Sequence, residues 1–221
     1  METQPAWRTA SDRGTREINA DAVAASHGVV ALADGIGDDL TAAHAALIAT
    51  AAAVEVPAVA GPVAALAAAH DALTVGDCVL IVAQPFGDGY RIGWVGDVRA
   101  YAWDGVGLRQ LTTDHTLAQY FRDHGGEITP RMAHVVTTSV VTATQSRYGT
   151  TETSATSLVL TTDGVHGTLT HDAMAAVLRT AAHPADALVR AAHTAGARDN
   201  ATAVVLTGAL NPATRPLHVA A

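Results

Sequence analysis

Lysine is missing altogether and cysteine nearly so: all 13 basic residues are arginine, and Cys78 is the one thiol among 221 residues. Without lysine the phosphate-cradling loop GxxxxGK[ST] cannot be written, which excludes nucleotide hydrolysis by that route. A lone cysteine excludes an internal disulfide framework and suits a reducing cytoplasm. A Cys-x5-Arg nucleophile signature also fails, because the arginine position counted from Cys78 is Gln84. Aromatic residues are only 4% of the chain, so alanine and valine have to fill most of a core. No run reaches the ~18 apolar residues of a membrane helix. The apolar stretch 42–54 is interrupted by His44 and followed by Glu55 and Pro57. The first residues carry no apolar segment of the signal-peptide kind, so a cytoplasmic protein with no membrane partner is expected. The formal charge of −8, with no basic cluster, argues against nucleic acid as a partner.

What remains is a chain rich in material for a core. Hydrophobic residues are 49% and charged residues 15%, which suits one folded domain over residues 1–207. Residues 208–221, with Pro212 and Pro216, read as a C-terminal tail. Short apolar, β-branched runs predict strands at 27–33, 78–83, 90–95, 98–103, 107–111, 157–162 and 202–207. The middle three read as a meander with turns at Gly96-Asp97 and Asp104-Gly105. Helical patterns fit between them. One runs to Val54 behind an Asp38 or Asp39 cap, and a second spans about 62–73. A third, with Leu117, Tyr120 and Phe121 on one face, stops at Gly125-Gly126. Two more begin after Thr170 and at Pro184. Consecutive hairpins favour antiparallel sheets over a doubly wound parallel one, so the fold class expected is α+β.

The chemistry concentrates in aspartate, of which there are 16 against 5 glutamates. Asp34, Asp97, Asp163 and Asp199 stand at the ends or starts of predicted strands, and Asp21 lies just before the first. Strand ends let side chains leave the core while the backbone stays rigid, and converging carboxylates suit hard cations such as Mg²⁺ and Mn²⁺. Asp88-Gly89 and Asp104-Gly105 read as plain turns. Asp34 and Asp163 differ, since each follows an apolar strand and precedes a helix or its approach. Spacing alone leaves turn chemistry and metal binding both open.

Six strings in order settle the comparison with a known family: SDRGTR (11–16) through NAD (19–21), VALADGIG (30–37), GDVRAY (96–101), LTTDHT (111–116), LVLTTDGV (158–165) and RDNATAVVL (198–206). They resemble the motifs of the metal-dependent protein phosphatases (PPM, or type 2C), in the compact bacterial form, over nearly all of residues 8–207. The resemblance implies a four-layer α-β-β-α sandwich with two central, mainly antiparallel sheets. It implies a serine/threonine protein phosphatase that uses two Mn or Mg ions, with a possible third. Carried over by position, Asp34 bridges two metals, Asp163 and Asp199 complete the shell of the first, and the Gly35 carbonyl binds the second. Asp97 with Asp163 holds a weaker third, Asp21 supports the cluster's waters, and Arg16 grips the substrate phosphate. The partner implied is a phosphorylated protein, the product of a serine/threonine kinase.

Several positions depart from the family pattern. Ile36 stands where eukaryotic members have a histidine that serves as general acid, Ala20 where a Glu or Gln is usual, and Asp38 where a glycine is usual. The segment after LTTDHT, expected to lie beside the site as a flap, keeps DHGGEIT (123–129) but has Val135 after His134 in place of proline. Two rival readings keep the same fold: a degenerate phosphatase used as a regulatory or binding module, and a hydrolase of small phosphoesters. Outside the site, Arg99 is expected to brace the Asp97 turn by charge pairing and His115 to fix a loop. Cys78, Trp94 and Trp103 are expected to be core.

Overall fold

The structure is a computed structural model and describes residues 7–207; the tail expected at 208–221 lies outside the described residues. In chain order the strands and helices begin with β1 (Trp7–Asp12), β2 (Asp21–Ser26), β3 (Val29–Gly35), α1 (Leu40–Glu55) and α2 (Pro62–Ala72). Then come β4 (Cys78–Phe86), β5 (Gly89–Val95), β6 (Arg99–Trp103), β7 (Leu108–Gln110) and α3 (Leu117–Asp123). The last are β8 (Gly149–Thr153), β9 (Ser157–Thr161), α4 (Asp163–His166), α5 (His171–Thr180), α6 (Pro184–Thr194) and β10 (Ala201–Thr207). Two five-stranded sheets result, ordered β1-β10-β9-β6-β7 and β2-β3-β4-β5-β8. Every ladder in them is antiparallel.

Strand alternation sorts side chains into three cores and so into four layers. Val30, Leu32, Val79 and Ile81 of one sheet meet Leu158, Leu160, Val204 and Leu206 of the other. The opposite face of β3 and β4, with Ala31, Ala33, Leu80 and Val82, packs on α1 and α2 through Ala46, Ala49, Ala53 and Leu66. The outer face of the other sheet, with Val159, Ala203 and Val205, packs on α5 and α6 through Met174, Leu188 and Ala192. Alanine dominates the contact face of α1, which lets that helix lie close on the sheet. Its start is capped by Asp39, whose Oδ1 accepts from the Ala42 N–H at 2.9 Å. The expected α-β-β-α sandwich with two antiparallel sheets is what the chain forms.

Three expectations need correction. The meander does not stay in one sheet, because β5 and β6 belong to different sheets and Gly96-Asp97 is the crossing between them. That crossing takes Asp97 out of a hairpin and delivers it to the end of the sandwich. Strands β1, β2 and β8 carry no strong signal. β2 is DAVAAS, alternately buried but built on alanine, a weak strand former, and β1 is half-exposed and polar. Finally, Leu117, Tyr120 and Phe121 do not form a core face. Only Ala118 of α3 is buried, and Tyr120 is exposed with its ring against Phe121 and His124.

Candidate active site

The period-two rule places carboxylates in the gap between the sheets. On β3, Val30 and Leu32 point into the inter-sheet core, so Asp34 points the same way at the strand's end. On β2, Val23 and Ala25 pack against that core, and Asp21 shares their face. Asp21 lies directly across from Asp34 in the ladder. From the facing sheet come Thr162, just past β9, and Thr202 of β10. Their hydroxyls donate to Asp21 Oδ2 at 2.9 and 2.6 Å, tying the two sheets together at this end. The other oxygen, Asp21 Oδ1, is buried with no hydrogen-bond partner.

Asp163 opens α4, and Asp199 lies two residues before β10. Next to it, Asn200 is buried and works as a clasp. Its Nδ2 donates to the carbonyls of Arg13 and Ile18, both at 2.9 Å, and its Oδ1 accepts from the Ala20 N–H at 2.8 Å. The loop carrying Arg16 is held again by Thr15, whose N–H and hydroxyl donate to the Arg198 carbonyl at 3.0 and 2.9 Å. Gly14 turns that loop at φ 63°, where an added Cβ would meet the Asp199 carbonyl oxygen at 2.5 Å. Only glycine allows so close an approach.

His115 pins the crossing that carries Asp97. Its Nδ1 accepts from the Gly96 N–H at 3.1 Å, and its own N–H donates to the Gly96 carbonyl at 2.8 Å. The loop-fixing part expected of His115 is therefore observed. The expectation for Arg99 is corrected: its guanidinium pairs with Asp114, Nε to Oδ1 at 2.9 Å and Nη2 to Oδ2 at 2.6 Å. Cys78 and Trp94 are buried as expected, and Trp103 packs half-buried against the outer core.

These elements close on one cavity of about 260 Å³, lined by Arg16, Asp34, Gly35, Asp97, Asp163 and Asp199 among others. Of the metal- and phosphate-binding residues expected from sequence, all but Asp21 are on the lining. The electrostatics are one-sided. Burial holds Asp34 well above the usual carboxylate range, and Asp21, Asp163, Asp97 and Asp199 push it further. Burial also pushes Asp97 up to about 7, with Asp163 adding to it, and burial raises Asp163, with Asp199 adding to that. Asp21 reaches about 7 by burial, against the pull of its two threonine donors. Like charges at this density, with Arg16 paired to Asp199 alone among these aspartates, call for more positive charge. All the donors are oxygens, as hard divalent ions require. The orphaned Asp21 Oδ1 has capacity left for a bridging water. Among the described residues, no three His, Cys, Asp or Glu side chains stand closed up as a ready-made metal shell. The carboxylates ring the cavity instead, and as an all-oxygen set they fit hard divalent ions.

One side chain at the mouth, His134, escaped sequence reasoning, and a second, Asp38, was expected only as a departure that adds negative charge near the site. His134 lies with its Nδ1 3.8 Å from Asp163 Oδ2. It is brought there by a short turn at Pro130–His134 and a bridge between Thr116 and Val136. Its signal was the expectation that this segment lies beside the site. Asp38 lines the cavity too, 3.4 Å from Arg16.

No protein-family model and no curated protein matches the sequence. Solved structures do match. The catalytic domain of the serine/threonine phosphatase PstP, in complex with two manganese ions, is 26% identical at a TM-score of 0.77 and covers 92% of this chain and 98% of its own. The Mycobacterium tuberculosis phosphatase PstP is 25% identical at a TM-score of 0.76, covering 90% and 96%. The chain has the fold of the PPM-type phosphatases and is similar to them over most of its length. The Mycobacterium smegmatis PPM phosphatase MsPP shares the PPM fold at a TM-score of 0.72 and 23% identity, over 91% and 97% of the two chains. Among the described residues, no helix is long and apolar enough to cross a membrane.

Proposed function

We propose that this PPM-type phosphatase hydrolyses phosphoserine and phosphothreonine in proteins, by attack of water on phosphorus with no covalent phosphoenzyme. One observation carries the reading: Asp34 and Asp21 from one sheet, Asp163 and Asp199 from the other, and Asp97 from the crossing converge on the cavity that Arg16 rims. Asp34, Asp163 and Asp199, with the Gly35 carbonyl, would hold two Mn²⁺ or Mg²⁺ ions, and Asp97 with Asp163 a third. Such ions supply hydroxide at neutral pH by lowering the pKa of water from ~15.7 toward ~7, and they neutralise charge on the phosphoryl group. Manganese bound by the related PstP supports the assignment.

The chain's own side chains do the rest. Arg16 presents two Nη groups at the rim, a geometry suited to two phosphate oxygens at once. Asp21, with one oxygen fixed by Thr162 and Thr202, keeps the other to accept from a water on the cavity floor. Val79 and Val136 form apolar wall beside these groups and limit the water that enters. Ile36 is an exposed apolar residue at the mouth and has no proton to give. Protonation of the departing oxygen therefore falls to solvent or substrate. A cytoplasmic phosphoprotein made by a serine/threonine kinase is the partner this implies.

The test is turnover of phosphoserine, phosphothreonine and phosphotyrosine peptides beside a generic aryl phosphate, with Mn²⁺ and with chelator. The reading expects manganese-dependent release of phosphate from the first two peptides. Absent or metal-independent release would sink it. Release from the aryl phosphate alone would point to small phosphoesters.

A further inference from the structure

Arg16 is not free to meet a phosphate. Its Nη2 donates to Asp199 Oδ2 at 2.8 Å, and its Nη1 lies 3.4 Å from Asp38 Oδ2. Both nitrogens that would grip phosphate oxygens already face carboxylates. The two contacts differ in kind. The first is short and joins Arg16 to a residue assigned to the cation site. The second is loose, and among the described residues the Asp38 carboxylate has no other partner. The Asp38 backbone, in contrast, is firmly placed. Gly37 before it turns at φ 136°, and Asp39 after it caps α1, with its carbonyl accepting from the Ala43 N–H at 3.2 Å. The Asp38 side chain is 44% exposed and can swing from this fixed root.

We infer that Asp38 is a displaceable competitor for Arg16, a carboxylate that must leave the guanidinium before a phosphate monoester can take its place. The inference rests on the reading of Arg16 as the phosphate-holding residue. A dianionic phosphate with three terminal oxygens outbids one loosely held carboxylate for the guanidinium fork. The displaced charge remains nearby, however, and opposes the newcomer. Asp38 thus weakens ground-state binding of phosphorylated ligands and sets affinity rather than chemistry.

The experiment uses the full chain loaded with Mn²⁺ and compares wild type, Asp38→Asn, Arg16→Ala and the double variant. KM and kcat are measured on a phosphothreonine peptide, together with competitive inhibition by inorganic phosphate. Asp38→Asn keeps the shape and removes the charge. It should lower both KM and the inhibition constant about two- to fivefold, the range for an exposed ion pair, with the change in KM rather than kcat. In the Arg16→Ala background the same substitution should do nothing. A rise in KM on Asp38→Asn would mean that Asp38 orients Arg16, and would overturn the inference. So would a gain that persists without Arg16, because bulk charge would then explain it. If Arg16→Ala alone leaves KM and phosphate inhibition unchanged, the fault lies in the reading of Arg16 itself.

Discussion

Two places in this molecule take charge out of water, and they do it in opposite ways. At Arg99 the charge is balanced. Burial works against the guanidinium, but Asp114 outweighs it through two hydrogen bonds and holds Arg99 above its ordinary value. At Asp34 the charge is unbalanced, with four other aspartates raising it and no arginine fork against it. The first site braces the loop that follows β7 and asks for nothing more. The second is costly to the fold by itself, a cost that the cations proposed for it would offset. Partnering, rather than burial, separates a structural charge from a functional one.

The largest effect expected is on the unbalanced side. If the proposed assignment holds, Asp34→Ala should cut manganese-dependent phosphatase activity by about 10³-fold or more, since it removes a carboxylate that would hold the ions. In chelator the same variant should be at least as resistant to urea as wild type, because a repelling charge has gone. Retained turnover would break the comparison, and so would a metal-free variant that unfolds early. The balanced side should respond in reverse. Arg99→Met leaves Asp114, only 14% exposed, without its partner, and should cost about 3 kcal/mol in urea unfolding. Replacing both residues with apolar ones should recover most of that loss. A single substitution costing under about 0.5 kcal/mol would put Arg99 among ordinary surface pairs.

Much of this division was legible beforehand. Strand runs that end in Asp-Gly, at Asp34 and Asp163, carried both the fold and the site, because the alternation that buries Val30 and Leu32 also aims Asp34. What was hidden depended on contacts distant in sequence. Arg99 sits two residues from Asp97, which suggested the wrong partner, whereas its partner Asp114 is reached only after β7 turns back on β6. The Gly96-Asp97 crossing resembles a hairpin turn, and no local signal says that the chain changes sheets there. Ala-rich β2 shows too little β-branching to announce itself, yet it carries Asp21 into register with Asp34.

Manganese itself sharpens the contrast next. An ion that binds only the folded chain stabilises it by mass action, about 2.7 kcal/mol at a hundredfold excess over Kd. The Tm of wild type and of Arg99→Met should rise alike with Mn²⁺, while that of Asp34→Ala should stay flat. A rise in Asp34→Ala equal to wild type would place the ions elsewhere.

The smallest effect concerns His166, which shares α4 with Asp163 and feels the charge of Arg99. It is buried on α4, with Nδ1 2.8 Å from the Thr161 hydroxyl, and among the described residues the charges acting on it are those of Arg99 and His171. Burial holds its pKa well below the ordinary value, and the nearby Arg99 and His171 lower it further. A neutral, buried imidazole binds fewer protons than the same residue in the unfolded chain. Its contribution is therefore fully present above the unfolded pKa of ~6.5 and is lost as pH falls below that value toward the folded one. The slope is about 1.4 kcal/mol per pH unit for one proton. Other groups titrate in this range, so the quantity to measure is a difference: urea stability of wild type minus that of His166→Asn, at pH 7 and at pH 5.5. That difference should shrink on acidification. If it grows, His166 has found an anion in the folded chain, and the balanced region extends further toward the cavity than Arg99 and Asp114.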